Sequence, residues 1–123
     1  GNRDVLKIFG YNDDSLIDIY DFTQSTPAIS IGDIYTFSFT VCAKEATKVR
    51  LEYGIDYVKA NGKRNRKIFK ISEISLKGNV KKTYEKKHSF ANLTTRKHYP
   101  GTHSITLIVN GFERGKLDFE LNE

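Results

Sequence analysis

From position 16 onward the chain alternates apolar and polar residues with a period of two. Tyr35, Phe37, Phe39 and Val41 fall on one side, and Thr36, Ser38 and Thr40 on the other. That alternation belongs to a strand with one buried face. The same reading turns Val49, Leu51, Tyr53, Ile55 and Tyr57 inward against Lys48, Arg50, Glu52 and Asp56, and does the same for His103, Ile105, Leu107 and Val109 and for Leu117, Phe119 and Leu121. No helical period of any length competes with it. Strands are expected over 16–22, 34–42, 48–58, 66–76, 80–90, 102–109 and 112–121. Asn110-Gly111 supplies the two positive-φ positions of a type I′ turn, so the last two strands form a hairpin; Asn61-Gly62 and Gly78-Asn79 mark further reversals. The fourth strand changes phase midway, since Phe69 and Ile71 are out of step with Ile74 and Leu76, and a bulge or a switch between sheets near Ser72-Glu73 would account for it. About seven short strands in one domain imply an all-β, antiparallel, immunoglobulin-like sandwich.

The chain has 123 residues, the size of one domain, and a single cysteine, so no intrachain disulfide forms. Cys42 lies in an apolar and aromatic strand and is expected to be packed, although its even-numbered phase with Thr40 leaves an outward position open. Residues 1–12 read as the remnant of a preceding helix or a linker, because Asp4 to Phe9 followed by Gly10 suits a helix C-terminus, with a short strand as the alternative. The sandwich then occupies 13–123, entered through the polar cluster Asn12-Asp13-Asp14-Ser15. Neither a secretory signal nor an apolar run long enough to span a membrane is present, and the expected location is the cytoplasm. Without secretion, the acceptor pattern Asn92-Leu93-Thr94 carries no modification.

Charge changes the picture. Of twenty Lys and Arg, thirteen lie from Lys59 to Lys97 against only Glu73 and Glu85, so this window carries 13 − 2 = +11 while the whole chain carries +5. A field of one sign gathers polyanions. Two basic loops stand out. The first, around Asn61-Gly62, holds Lys59, Lys63, Arg64, Arg66 and Lys67, with Asn61 to fix orientation; the second holds Arg96, Lys97 and His98 before Tyr99-Pro100-Gly101. These side chains suit a phosphate backbone. A solvated basic loop is the plainer reading of either one. If consecutive strands simply reverse, the two loops share one pole and form one patch; a full reversal near Ser72-Glu73 would separate them. Lys81, Lys82, Lys86 and Lys87 read as strand lysines guarding an edge. His88, His98 and His103 lack partners with metal-ligand spacing, His103 falls in phase with the core, and neither a nucleophile motif nor a cofactor fingerprint occurs. No catalytic residue and no cofactor are expected.

The segments Asp56-Tyr57-Val58-Lys59-Ala60-Asn61-Gly62-Lys63, Lys67-Ile68-Phe69-Lys70-Ile71, Lys87-His88-Ser89-Phe90, the run from Leu93 to His103, and Val109-Asn110-Gly111 together resemble the C-terminal immunoglobulin-like domain of AlkC-type DNA alkylation-repair proteins. The resemblance covers most of the chain from about Leu16. It implies a parent that excises alkylated purines, a preceding domain of HEAT-like helical repeats that holds the catalytic carboxylates, and double-stranded DNA as partner of the matched loops. Arg64 and Asn65 match that pattern only loosely. The function expected from it is a non-catalytic DNA-binding accessory domain; the alternative is an Ig-like interaction module docking on a helical partner.

Overall fold

The computed structural model describes residues 16–123. The expected N-terminal remnant, and the cluster at 12–15, lie outside the described residues. Eight strands follow in order: β1 (Ile17–Gln24), β2 (Ala28–Ser30), β3 (Ile34–Ala43), β4 (Thr47–Val58), β5 (Arg64–Leu76), β6 (Lys81–Ser89), β7 (Gly101–Val109) and β8 (Phe112–Asn122). They form a three-stranded sheet ordered β1-β3-β6 and a five-stranded sheet ordered β2-β8-β7-β4-β5. The all-β sandwich expected from alternation is therefore present, with one strand more than about seven. The additional strand is β2, three residues long, and it pairs parallel to β8 where an antiparallel arrangement was expected throughout. Three residues carry no readable period, and a parallel partner some ninety positions away leaves no local turn signal.

The core lies between the sheets. Tyr35, Phe37, Phe39 and Val41 of β3 meet Val49, Leu51, Tyr53, Ile55 and Tyr57 of β4, with Ile105, Leu107 and Val109 of β7 and Phe119 and Leu121 of β8, all buried. Tyr35 stacks on Phe119 with ring centroids 4.1 Å apart, and Phe37 meets Tyr53 at 5.0 Å. Such aromatic pairs add to the burial of their area and fix how the two sheets sit on each other. The β7–β8 hairpin closes at Asn110 (φ 50°) and Gly111 (φ 84°), as a type I′ turn requires. Asn110 is itself buried, and its Oδ1 accepts the Arg50 N–H at 2.7 Å, which ties the hairpin end to β4.

The change of phase in β5 is a bulge. Leu51 pairs with Ser72 and Glu52 with Lys70, so Ile71 has no opposite residue and the strand continues. With no reversal there, the β4–β5 and β6–β7 connections stay at the same end of the sandwich. β6 is an edge strand, and its lysines alternate as expected: Lys81 and Lys87 are exposed on the outer side, whereas Tyr84 and His88 turn in. Cys42 corrects the expectation of a packed thiol. It sits half-buried on the outer face of β3, between Asp18 of β1 and Lys81 of β6, in step with Thr40. Its even-numbered phase decides its place, and apolar neighbours in sequence do not.

Candidate nucleic-acid interface

The hairpin from β4 to β5 is closed by Lys59 N–H donating to Lys63 O (2.7 Å) and Gly62 N–H to Lys59 O (2.9 Å), with Gly62 at φ 81°. Asn61 Oδ1 accepts the Lys63 N–H at 3.0 Å and braces the turn. The connection from β6 to β7 is held differently. Phe90 is fully buried, Leu93 and Arg96 exchange backbone hydrogen bonds around a two-residue reversal, and the His98 N–H donates to Asn92 Oδ1 at 2.7 Å. Folded back in this way, the loop leans on the end of β4, and the two basic connections meet. Between them lies a cleft of about 320 Å³ walled by Tyr57, Lys59, Asn65, Arg96, Lys97 and Tyr99.

This wall holds three cations and no carboxylate. The Arg96 guanidinium lies over the Tyr57 ring, 4.6 Å from its centroid, and Lys97 Nζ sits 5.7 Å from that of Tyr99. Stacking on a ring face holds the guanidinium in place without neutralising it. Tyr57 is held in turn: its hydroxyl lies 2.6 Å from His88 Nε2, and the Tyr53 hydroxyl lies 2.9 Å from His88 Nδ1. Burial, with His98 and Arg96 adding to it, pushes the His88 imidazole down to about 4, so the ring is neutral and takes one tyrosine proton while giving its own to the other hydroxyl. Burial likewise raises the Tyr57 phenol to about 12, keeping it protonated.

The nine residues expected to contact DNA do not end in one place. β5 pairs Asn65 with Tyr57 and Lys67 with Ile55, so these two take the same side of the sheet as the cleft floor. Arg64 and Arg66 pair with Val58 and Asp56 and take the opposite face. There Arg64 Nη2 reaches Asp56 Oδ2 at 3.1 Å, Arg66 Nε reaches Asp56 Oδ1 at 3.0 Å, and Arg66 Nη1 reaches Glu113 Oε1 at 3.3 Å. Arg66 also donates to Thr106 Oγ1, and its stem crosses Gly54 at 3.1 Å from where a Cβ would stand. Burial works against the Asp56 carboxylate, yet the hydrogen bond and charge of Arg66, with the charges of Arg64 and Lys116, outweigh it and hold the group below the ordinary carboxylate range. By contrast, none of Lys59, Lys63, Lys67, Arg96 and Lys97 forms an ion pair with another described residue.

His98 is set aside as a contact because it is only 4% exposed: its ring packs against Phe90 at 5.0 Å and Tyr57 at 5.6 Å, beneath the loop surface. His103 is a hydrogen-bonded core residue as expected, its Nδ1 donating to Gly101 O at 3.1 Å and its Nε2 accepting the Val58 N–H at 3.4 Å. Sequence reasoning weighed His88 only as a metal ligand and did not find its role beneath Tyr57. Its only signal was an even position on β6, in step with Tyr84 and opposite to Lys81 and Lys87.

Two packed sheets with a cationic, aromatic-floored cleft at one pole define an immunoglobulin-like domain. Residues 18–123 match the family described as the C-terminal Ig-like domain of the uncharacterised protein YhaZ, and the chain belongs to that family. Protein YhaZ of Bacillus subtilis (strain 168) is 42% identical over 98% of this chain and 34% of its own length. The structure of Pseudomonas fluorescens alkylpurine DNA glycosylase AlkC bound to DNA containing an abasic site analog superposes with a TM-score of 0.87 at 32% identity, covering 96% of this chain and 33% of that one. The chain thus spans about a third of the length of both relatives. A β-glucosidase from Listeria innocua, at 13% identity and a TM-score of 0.71 over 87% of this chain and 16% of that one, shares the sandwich fold alone.

Proposed function

We propose that this domain is a non-catalytic DNA-binding module of an alkylpurine DNA glycosylase, and that it grips the phosphate backbone of duplex DNA at the pole where its basic loops meet. The observation that carries the reading is the cleft itself: cations without carboxylate partners, one of them stacked in place on Tyr57, at the junction of two loops. Lys59, Lys63, Lys67, Arg96 and Lys97 are the phosphate contacts, and Asn61 shapes the turn that presents them. Arg64 and Arg66 serve the scaffold. The AlkC relative, solved with DNA, supports the choice of partner. Catalysis belongs to the rest of the parent protein, in the expected helical-repeat domain.

Contacts of this kind neutralise charge without reading sequence, so isolated binding falls in the non-specific range of about 10⁻⁴ to 10⁻⁶ M and weakens steeply as salt displaces it. Fluorescence anisotropy with an undamaged duplex across a salt series checks this. The expected plot of log K against log salt has a slope of about −4 to −5, five phosphates at roughly −0.9 each. Binding indifferent to salt would overturn the reading in favour of apolar docking on a protein partner.

A further inference from the structure

Arg96 and Tyr57 divide two clefts. Beyond them from the cationic one lies a second, of about 350 Å³, walled by Tyr57, Phe69, His88, Leu93, Arg96 and His98. Its volume lies in the range of small-ligand sites, and its chemistry differs from that of its neighbour. The walls are mostly flat rings, with Leu93 and the small side chains of Ser89 and Ala91, no carboxylate and a single cation on the shared border. The rings are fixed in place: Phe69 stacks on Tyr53 at 5.2 Å and meets His88 edge-on at 4.8 Å, while His88 is pinned by the two tyrosine hydroxyls. At the lip stands Leu93, 63% exposed at the start of the reversal it makes with Arg96.

A duplex has no use for such a surface beside a phosphate site, because its bases are stacked inside. A single strand offers both things at once, an anionic phosphate and a free base face within one nucleotide. Cationic tracks lined with aromatic platforms are how proteins hold single strands without reading sequence. We infer that the paired clefts bind an unpaired nucleotide of single-stranded DNA, its phosphate between Lys59, Arg96 and Lys97 and its base against Phe69 and Leu93. This rests on the proposal that the cationic cleft takes DNA phosphate, and adds to it the state of the DNA.

The test uses two fluorescein-labelled probes at one salt concentration, an oligothymidylate of about eight nucleotides and a blunt duplex of about that length, a span suited to one small domain. The wild-type domain binds the oligothymidylate at least as tightly as the duplex. Phe69→Ala weakens the single strand roughly tenfold and Leu93→Ser roughly fivefold, the scale of one lost stacking contact, while duplex affinity stays within about twofold. Leu93 is exposed, so its variant remains informative if Phe69→Ala unfolds, which a thermal melt reports. Equal losses on both probes, or no loss on either in Leu93→Ser, overturn the inference and leave backbone binding standing. Failure of the wild type to bind either probe removes both.

Discussion

The hairpin of β4 and β5 carries bases on both faces, and the two faces use them in opposite ways. On one side Lys67 and Asn65 share the sheet face of Tyr57, Asn65 lining the cleft with Lys59, Arg96 and Lys97, and none of these bases pairs with a described acid. On the other side Arg64 and Arg66 converge on Asp56, and Arg66 also meets Glu113 and Thr106. Residues adjacent in sequence are thus sorted by strand parity into charge available to a ligand and charge used by the fold. Density of lysine and arginine along a chain says how much charge there is; the acids on the neighbouring strands say how much of it remains to be offered.

Acid separates the two regions most strongly. His88 is neutral in the fold because its value is lowered, so its contribution is complete above the ordinary imidazole value near 6.5 and is lost as pH falls through about 4. His98 and His103, also lowered by burial, act in the same direction. Asp56 is a depressed carboxylate, so its contribution persists until pH falls below the ordinary carboxylate range and disappears as it passes through the lower folded value. The cleft floor therefore weakens first and the outer clamp later. Urea denaturation at a series of pH values is expected to show a loss on the order of 2–3 kcal/mol between pH 6.5 and 4. Stability that stays flat over that interval would contradict the buried, neutral imidazole.

Replacement of Arg66 probes the other face. Arg66→Ala leaves Asp56 with Arg64 alone and uncovers Gly54, and it is expected to cost about 1–2 kcal/mol, less than a fully buried pair because these guanidiniums are about a third exposed. Chemical denaturation measures it. Smallest is the effect of Lys67→Ala, which leaves stability within about 0.5 kcal/mol and removes about one phosphate contact from the salt slope. A Lys67 variant that unfolded the domain and an Arg66 variant that did not would invert the comparison.

Much of this arrangement can be read from the residues, and the remainder has physical reasons for staying hidden. Alternation marks the inner faces of β3, β4, β7 and β8, because one buried face per strand imposes a period of two. Asn110-Gly111 marks its hairpin because few residues accept positive φ. The split between Lys67 and Arg66 needs one more fact, the length of the turn that pairs Val58 with Arg64; treating 59–67 as a loop hides it. The burial of His98 is invisible in sequence. It follows from a loop without periodicity that folds back through Asn92 onto Phe90. β2 escapes for want of length, and the outward Cys42 for want of weight given to its phase.

The central claim is that the cleft bases hold DNA and the outer-face arginines do not. The direct measurement is the slope of log K against log salt for an undamaged duplex, determined for the wild type, for Lys59→Ala/Lys67→Ala/Arg96→Ala/Lys97→Ala and for Arg64→Ala/Arg66→Ala, each checked for folding. The account predicts that the cleft set flattens the slope by about 3 to 4, roughly 0.9 per lost contact, and abolishes most binding, while the outer-face pair lowers stability and leaves the slope within about 0.5 of wild type. Equal flattening by both sets, or an unchanged slope in the cleft set, would contradict it.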